Sequence, residues 1–176
     1  GLPIQASADT LTECMKFITG RLRGLLIEEG YHYDVVDSVL AIMGSNPAHA
    51  IRNIKALSIA ILEPDWLTSL QAYSRCVRIV RSQKGDFTVD ESLLKEDAEK
   101  ALYGELISIE SLIPDTSSVV DFLTQFKKMI APINKFFDTI LVMDDDQILR
   151  ENRLGLLKRI SQLGEACADF SCLEGF

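Results

Sequence analysis

The sequence is poor in cysteine, histidine, glycine and proline, and it lacks a long apolar run. Its 176 residues include four cysteines and two histidines but no Cys-x-x-Cys pair, which argues against a disulfide framework and a zinc site. Ten glycines and five prolines are too few for a disordered or collagen-like chain. No apolar run approaches the ~20 residues that a membrane span needs. We therefore predict buried, reduced thiols in a cytoplasmic protein that does not enter a membrane.

The sequence also lacks the residue patterns of an active site. It contains no glycine-rich phosphate loop, no nucleophile beside a base and no ATP-site signature. His32 and His49 stand at no triad or metal-ligand spacing. The three aspartates at 144–146 could suggest Mg²⁺, but no further carboxylates accompany them, and capping of a following helix explains them more simply. We predict no catalytic residue, no metal and no cofactor in this chain.

Length and composition predict one domain with a sizeable core, since 47% of the residues are apolar. We expect a single all-helical domain over 1–176, with N-terminal helices at 1–62 and a bundle at 63–176 as subregions. The first residues, GLP, have neither the basic start nor the apolar segment of a signal peptide, and the chain does not begin with Met. We therefore expect a fragment of a longer protein.

Apolar residues recur at helical spacing, which predicts an all-α bundle of about seven to eight helices, and no stretch alternates long enough for a strand. Caps and breakers place the helices at about 7–29, 34–43, 46–62, 66–83, 96–113, 117–141 and 146–167. Pro114 and Thr116 are predicted to end one helix and cap the next, and Pro132 to kink or divide the helix that follows. Asp34 is a predicted N-cap, and each of the three aspartates at 144–146 is a good N-cap for the last helix, with Asp144 and Gln147 fitting a capping box.

Charge is distributed unevenly along the chain, whose net charge is −8. The segment 86–121 contains ten acids and two lysines, so it carries −8 and the remaining residues sum to zero. The stretch 66–85 has four cations and no acid, and 38–62 has Arg52 and Lys55 and no acid. We predict an acidic side and a basic side on one domain, because the local field matters more to a polyanion than the net charge.

The helix predicted at 66–83 has its cations on one face. At ~100° per residue, Arg75, Arg78 and Arg81 fall within an arc of about 120°, opposite an apolar half. None has an acid at i±3 or i±4, although like charges one turn apart cost roughly 0.2–0.5 kcal/mol per pair. Two explanations remain open. Either the face is solvated or paired with acids elsewhere in the fold, or it binds an external anion such as a phosphate backbone.

Two motifs carry a resemblance to a known family. They are FFDTILVMDDDQILRENRLGLL at 136–157, with its FFD, VM, acidic turn and LR-x-NRL-x-LL, and FITGRLRGLLIEEGYHYDVVDSVL at 17–40. Both resemble the C-terminal region of the bacterial-type glycyl-tRNA synthetase β subunit, and Asp169, Phe170 and Ser171 resemble its usual ending. That region is similar to the DALR-like anticodon-binding domain of arginyl-tRNA synthetase, so the resemblance implies the same all-α fold.

The resemblance implies that the chain binds the anticodon stem-loop of tRNA(Gly). ATP- and Mg-dependent glycylation would then belong to the α subunit of the parent ligase, and the remainder of the β subunit and the α subunit would be partners. Two other functions remain open: a helical scaffold for subunit or interdomain contacts with little RNA contact, and the anticodon module of an arginyl-type synthetase.

The resemblance supplies no residue that reads a base, so the candidates come from the charge pattern and the aromatic residues. The predicted RNA-binding residues are Arg75, Arg78, Arg81, Lys84, Arg52, Lys55 and, as a stacking ring, Tyr73. Trp66 is a second candidate ring, and for both rings a core position is the alternative. Asp144, Asn152 and Arg153 are predicted to be structural, with Arg153 paired to Asp138 or another acid across the turn. RNA contact is the alternative for Asn152 and Arg153.

Overall fold

The structure, a computed structural model, describes residues 7–113 and 118–176. This part of the chain forms eight α-helices and three 3₁₀ turns, contains no strand, and has no helix long and apolar enough to cross a membrane. The helices are α1 (Ala8–Glu28), α2 (Tyr33–Met43), α3 (Pro47–Ala60), α4 (Trp66–Arg81), α5 (Asp97–Glu110), α6 (Val119–Phe126), α7 (Ile130–Thr139) and α8 (Gln147–Glu165). The predicted all-α bundle is confirmed. Pro114, Thr116 and the GLP start lie outside the described residues.

Local hydrogen bonds explain where two of the helices begin. Ser7 caps α1, because its hydroxyl accepts a hydrogen bond from the Thr10 amide at 3.1 Å. Asn46 caps α3 by accepting from the His49 amide at 3.1 Å, and Pro47 takes the first helical position, where its missing N–H costs nothing. Both starts follow from residues adjacent in the sequence.

The predicted N-cap at Asp34 and the predicted capping box at Asp144 are wrong, whereas a cap among the aspartates at 144–146 is confirmed. α2 begins at Tyr33, so Asp34 lies inside its first turn, where its carboxylate accepts from the next amide at 2.6 Å. The N-cap of α8 is Asp146, whose carboxylate accepts from two amides of the first turn. Asp144 lies two residues earlier, accepts from the Asp146 amide at 3.0 Å and shapes the turn before the helix.

The helix predicted at 117–141 is divided, as expected from Pro132. It forms α6 and α7, separated by a 3₁₀ turn at Lys127–Met129. Pro132 lies in the first turn of α7 and has no N–H to donate to the carbonyl of residue 128, so regular helical bonding is interrupted there. The division allows α6 and α7 to pack on different neighbours, α3 for the former and α4 and α5 for the latter.

α8 is the central helix of the fold. Nine of its 19 residues are buried, more than expected for a helix that is covered on one side only. The reason is that α4, α5 and α6 all pack against it. Gly155 allows the chain before α5 to lie directly on α8, because a Cβ there would stand 2.4 Å from the carbonyl carbon of Thr88. α4 and α5 also pack on α7, so α7 and α8 together support both helices.

The N-terminal helices join the same hydrophobic core. α2 packs on α1, on α3 and on the 3₁₀ turn at Phe170–Cys172, and α3 packs on α6. The side-chain oxygen of Asn53 in α3 accepts a hydrogen bond from the Val119 amide of α6 at 2.7 Å. The core therefore continues across the boundary between the predicted subregions 1–62 and 63–176.

The prediction of buried thiols is wrong for two cysteines. Cys76 and Cys167 are buried, whereas Cys14 and Cys172 are exposed. Burial raises the pKa of the Cys76 thiol to about 12, so this thiol is protonated at neutral pH.

Candidate nucleic-acid interface

α4 separates an apolar side from a basic side. Its apolar side packs on α7 and α8 and includes the buried residues Leu70, Ala72, Tyr73 and Cys76. Its other side carries the cations, all of them exposed: Arg75, Arg78, Arg81 and, just past the helix, Lys84. Gly85, with a φ of 147°, then turns the chain, a conformation that favours glycine. We call these four cations the basic face of α4.

No cation of the basic face forms an ion pair with any residue in 7–113 or 118–176. Six other lysines and arginines in those ranges do pair with carboxylates: Lys16, Arg23, Lys127, Arg153, Lys158 and Arg159. Acids elsewhere in the described fold therefore do not neutralise this face. Of the explanations left open by the sequence, a solvated face and an external anion remain.

The acidic segment 86–121 is neutralised in part by α8. Three cations of α8 reach three acids of this segment through the ion pairs Asp86–Lys158, Glu99–Arg153 and Glu110–Arg159. The sequence shows only two lysines within the segment, but the fold supplies three more cations from a distant helix. Three of the four cations of α8 are thus paired with this segment, while those of α4 pair with no acid in the described part of the chain.

Aromatic rings, rather than carboxylates, contact two arginines of the basic face. The guanidinium carbon of Arg75 lies 4.2 Å from the centroid of the Phe137 ring, and that of Arg78 lies 5.6 Å from the centroid of Phe176. Arg78 also donates a hydrogen bond to the main-chain oxygen of Phe176. A ring attracts a cation without cancelling its charge, so both arginines remain available to an anion.

Arg81 has a more mixed environment. It lines a cleft of about 410 Å³ together with Tyr73, Phe176 and two carboxylate residues, Glu165 and Asp169. Neither carboxylate forms an ion pair with Arg81 within the described ranges, but both weaken the positive field beside it. The positive field at Arg81 is therefore weaker than its own charge would give.

Arg52 and Lys55 belong to another part of the surface. Both are exposed on α3, which packs mainly on α2 and α6, whereas α4 packs on α7 and α8. Neither forms an ion pair with a described residue. The six predicted cations are thus divided between α3 and the end of the chain segment that contains α4, and these two helices have different neighbours. Arg75, Arg78 and Arg81 share one face of α4, and Lys84 follows just past its end.

The structure corrects the prediction that Tyr73 stacks on RNA bases. Tyr73 is 6% exposed, its hydroxyl donates to a carbonyl of α8 at 2.5 Å, and burial raises its pKa. The rings of Phe122, Phe126 and Phe170 surround it at centroid distances of 5.4–5.6 Å. Trp66, 8% exposed, is also a core residue. A ring enclosed in this way has no free face for a nucleobase.

Asn152 and Arg153 are engaged inside the protein. The side-chain oxygen of Asn152 accepts from a main-chain amide in the loop before α5 at 2.6 Å. Arg153 donates to the carboxylates of Glu99 and Asp144, each at 2.7 Å, so the acid across the turn is Asp144 and not Asp138. These bonds tie α5 and the acidic turn to α8, and both side chains are buried.

Glu99 is a charged group inside the core, 1% exposed. Burial raises the pKa of its carboxyl, but the amides of Glu96 and Lys95 and the Arg153 guanidinium outweigh burial and hold the pKa below its ordinary value. For Arg153, burial lowers the pKa, but Glu99 and Asp144 outweigh it and raise the pKa. The pair therefore stays ionised at neutral pH, and Arg153 offers no free charge to RNA.

The other carboxylate clusters have internal partners. Asp144 binds Arg153 and Asp146 caps α8, so the aspartates at 144–146 do not fit a Mg²⁺ site. His32, Asp34 and Glu174 have ligand atoms within 4.8 Å of one another, but Asp34 already accepts from the His32 ring at 2.5 Å and from the Glu174 amide at 2.8 Å. We assign no metal to either cluster.

Sequence reasoning missed Phe137 and Phe176, the rings beside the arginines. The sequence did contain an indication for Phe137. Neighbouring residues of a helix point about 100° apart, so of Phe136 and Phe137 only one is expected to point directly into the core. Phe136 is that residue, fully buried, while Phe137 lies half-buried beside Arg75. For Phe176 the sequence contained none, since it lies 98 residues from Arg78 in sequence.

The all-α fold agrees with a comparison against known families. The model of the DALR anticodon binding domain matches residues 69–169. This chain belongs to that family. The DALR domain begins within α4 and extends past α8, so it contains the basic face, Phe137 and the buried Arg153 network, whereas Arg52 and Lys55 precede it.

Relatives that align with nearly the whole chain are glycine–tRNA ligases. The chain is 34% identical over 176 residues to the chloroplastic/mitochondrial glycine–tRNA ligase 2 of Arabidopsis thaliana, covering 99% of the chain and 16% of that protein. It is 31% identical over 165 residues to the glycine–tRNA ligase β subunit of Desulforapulum autotrophicum, covering 91% and 24%. For the glycine–tRNA ligase β subunit of Alteromonas mediterranea the identity is 35% over an aligned stretch of 181 residues, which covers 95% of the chain and 25% of that protein. The resemblance to the β subunit is confirmed, and the chain spans a quarter or less of each relative.

Proposed function

We propose that this DALR domain is the anticodon-binding part of a glycyl-tRNA synthetase β subunit, and that the basic face of α4 holds the anticodon stem-loop of tRNA(Gly). The family and the names of the relatives support the proposal. One observation carries it: three guanidinium groups on α4 and the ammonium group of Lys84 just past its end are exposed without an acidic partner among the described residues. Planar guanidinium groups suit phosphate oxygens, and such contacts dominate affinity for nucleic acid.

In this proposal the domain contributes binding rather than chemistry. Contacts to phosphates position the anticodon loop, and its splayed bases are then stacked and read at their edges. Holding the loop orients the rest of the tRNA, so that its acceptor end reaches a remote active site. ATP- and Mg-dependent glycylation takes place at the α subunit, and the α subunit and the remainder of the β subunit are the protein partners.

α1 favours a second role beside the first. Leu11, Phe17 and Leu25 are 56%, 71% and 52% exposed on this helix, which packs chiefly on α2. Rows of exposed large apolar side chains mark surfaces that another part of a protein covers. We propose that the remainder of the β subunit covers α1, which makes the domain a scaffold for interdomain contact as well as an RNA-binding module.

Competition binding with RNA hairpins tests the first role. The labelled probe has the anticodon stem and loop of a glycine tRNA, and the competitors carry a glycine or an arginine anticodon. We expect binding whose log–log salt slope is roughly −2 to −4, as contact with three to six phosphates predicts, and the glycine hairpin should compete better.

Each contrary outcome has its own meaning. Better competition by the arginine hairpin would indicate an arginyl-type module instead. If neither this domain nor the full β subunit binds the probe at low salt, RNA binding is rejected and the scaffold role alone remains.

A further inference from the structure

We propose that Arg75 and Phe137 form a platform on which one unpaired base of the bound anticodon loop stacks. This inference rests on the proposed function and adds a specific subsite to it. The guanidinium carbon of Arg75 lies 4.2 Å from the centroid of the Phe137 ring, within stacking range. Arg75 is exposed, so a base can reach its side chain from solvent.

The core holds the platform in place. The Phe137 ring packs edge-on against Phe136, with centroids 5.6 Å apart and planes at 84°. Phe136 is fully buried, and α7, which carries both rings, packs on α4. Arg75 therefore rests on a ring fixed by the protein interior, and a base that stacks on it loses less side-chain freedom than on a mobile arginine.

The chemistry of the guanidinium group suits two contacts at once. Its flat face accepts a nucleobase, while its N–H groups, which lie in the plane, remain free to bond phosphate oxygens. Arg75 donates no hydrogen bond to any residue of the described ranges and pairs with none of their acids, so these donors are unused. Stacking tolerates every base, so the platform holds a nucleotide without identifying it.

Arg78 is the nearest alternative and fits less well. Its guanidinium carbon lies 5.6 Å from the Phe176 ring centroid, and one of its N–H groups already donates to the Phe176 main-chain oxygen. That hydrogen bond directs one N–H edge of the Arg78 guanidinium toward the protein. The geometry thus assigns base stacking to Arg75 and leaves phosphate contact to Arg78.

Variants that keep the charge but remove the flat surfaces test the platform. Arg75→Lys retains the cation and loses the plane, and Phe137→Leu retains an apolar contact and loses the ring. We expect each to weaken binding of the glycine-anticodon hairpin about 10-fold, because loss of one stacked base has an effect of this order. The salt slope should stay unchanged for Arg75→Lys. Arg21→Lys is the same change at an exposed arginine of α1 that contacts no ring among the described residues, and this variant should bind within about twofold of the wild type.

Hairpins with one abasic nucleotide in the loop make the test specific. At the stacked position, removal of the base should weaken binding to the wild type about 10-fold and leave binding to Arg75→Lys almost unaffected, since the contact is already lost. If the losses in affinity from base removal and from Arg75→Lys add at every loop position, the platform is overturned. Wild-type affinity in both Arg75→Lys and Phe137→Leu would overturn it as well. If Phe137→Leu lowers the thermal unfolding temperature, Arg75→Lys alone decides. If neither the wild-type chain nor the full β subunit binds any hairpin, the proposed function itself is rejected.

Discussion

Replacing Arg75, Arg78 and Arg81 together with alanine is expected to weaken binding of the glycine-anticodon hairpin more than about 10-fold at moderate salt. Each lost phosphate contact removes about 0.7–0.9 from the log–log salt slope, so the magnitude of the slope should fall by about 2. The effect is large because none of these groups forms an ion pair with a described acid in the free protein, although Glu165 and Asp169 weaken the field beside Arg81. Fluorescence anisotropy over a salt series measures both quantities.

The matched control removes three cations that already have acidic partners. Lys16, Arg23 and Lys127 pair with Glu13, Asp37 and the acids Glu63 and Asp65. Their triple alanine variant changes the net charge by the same amount but leaves the basic face intact. We expect nearly wild-type affinity. Equal losses in the two triple variants would mean that net charge, and not the α4 face, governs binding.

Arg153→Met is expected to lower the free energy of unfolding by about 3–5 kcal/mol, because it leaves the Glu99 carboxylate buried without its cation. For a chain of this size the loss corresponds to roughly 6–20 °C in the midpoint of thermal unfolding. Urea denaturation and calorimetry measure the two values. Lys158→Met is the control. It breaks an ion pair with Asp86, whose side chain is 88% exposed, and should cost less than about 1 kcal/mol.

Acid should reduce the difference between Arg153→Met and the wild type. The folded-state pKa of Glu99 lies below its unfolded value of 4.5, so the stability it contributes is present above that pH and is lost as pH falls through the folded pKa. In the variant the carboxyl loses the guanidinium that lowers its pKa, so acidification costs the variant less. A stability difference that stays constant from pH 7 to about pH 3 would contradict the role assigned to Glu99.

Features that depend on adjacent residues could be predicted from the sequence. The start of α3 at Asn46 and Pro47, the division near Pro132 and the apolar and basic sides of α4 all follow from local spacing and capping. The capping box at Asp144 is wrong because all three aspartates at 144–146 suit a cap by residue type, and Asp146 is the one that caps α8.

Features that depend on distant residues could not be predicted. Arg153 and Glu99 are 54 residues apart, and the sequence around either residue does not predict its contact with the other. Tyr73 looked suitable for stacking because its ring lies on the helix that carries the arginines, but its surroundings come from α6 and from Phe170. The lack of ion pairs on the basic face could not be predicted from the sequence either, since acids from any part of the chain could have paired with its cations.

The most direct test of RNA binding through α4 is a map of the backbone amide resonances that shift when the glycine-anticodon hairpin is titrated into the isotope-labelled chain. The account predicts that the largest shifts fall in 66–85 and around Phe137, with little change along α5, whose acids face α8 cations or carry unopposed negative charge. Saturable binding whose shifts cluster on α5 or α1 and spare Arg75, Arg78 and Lys84 would contradict it.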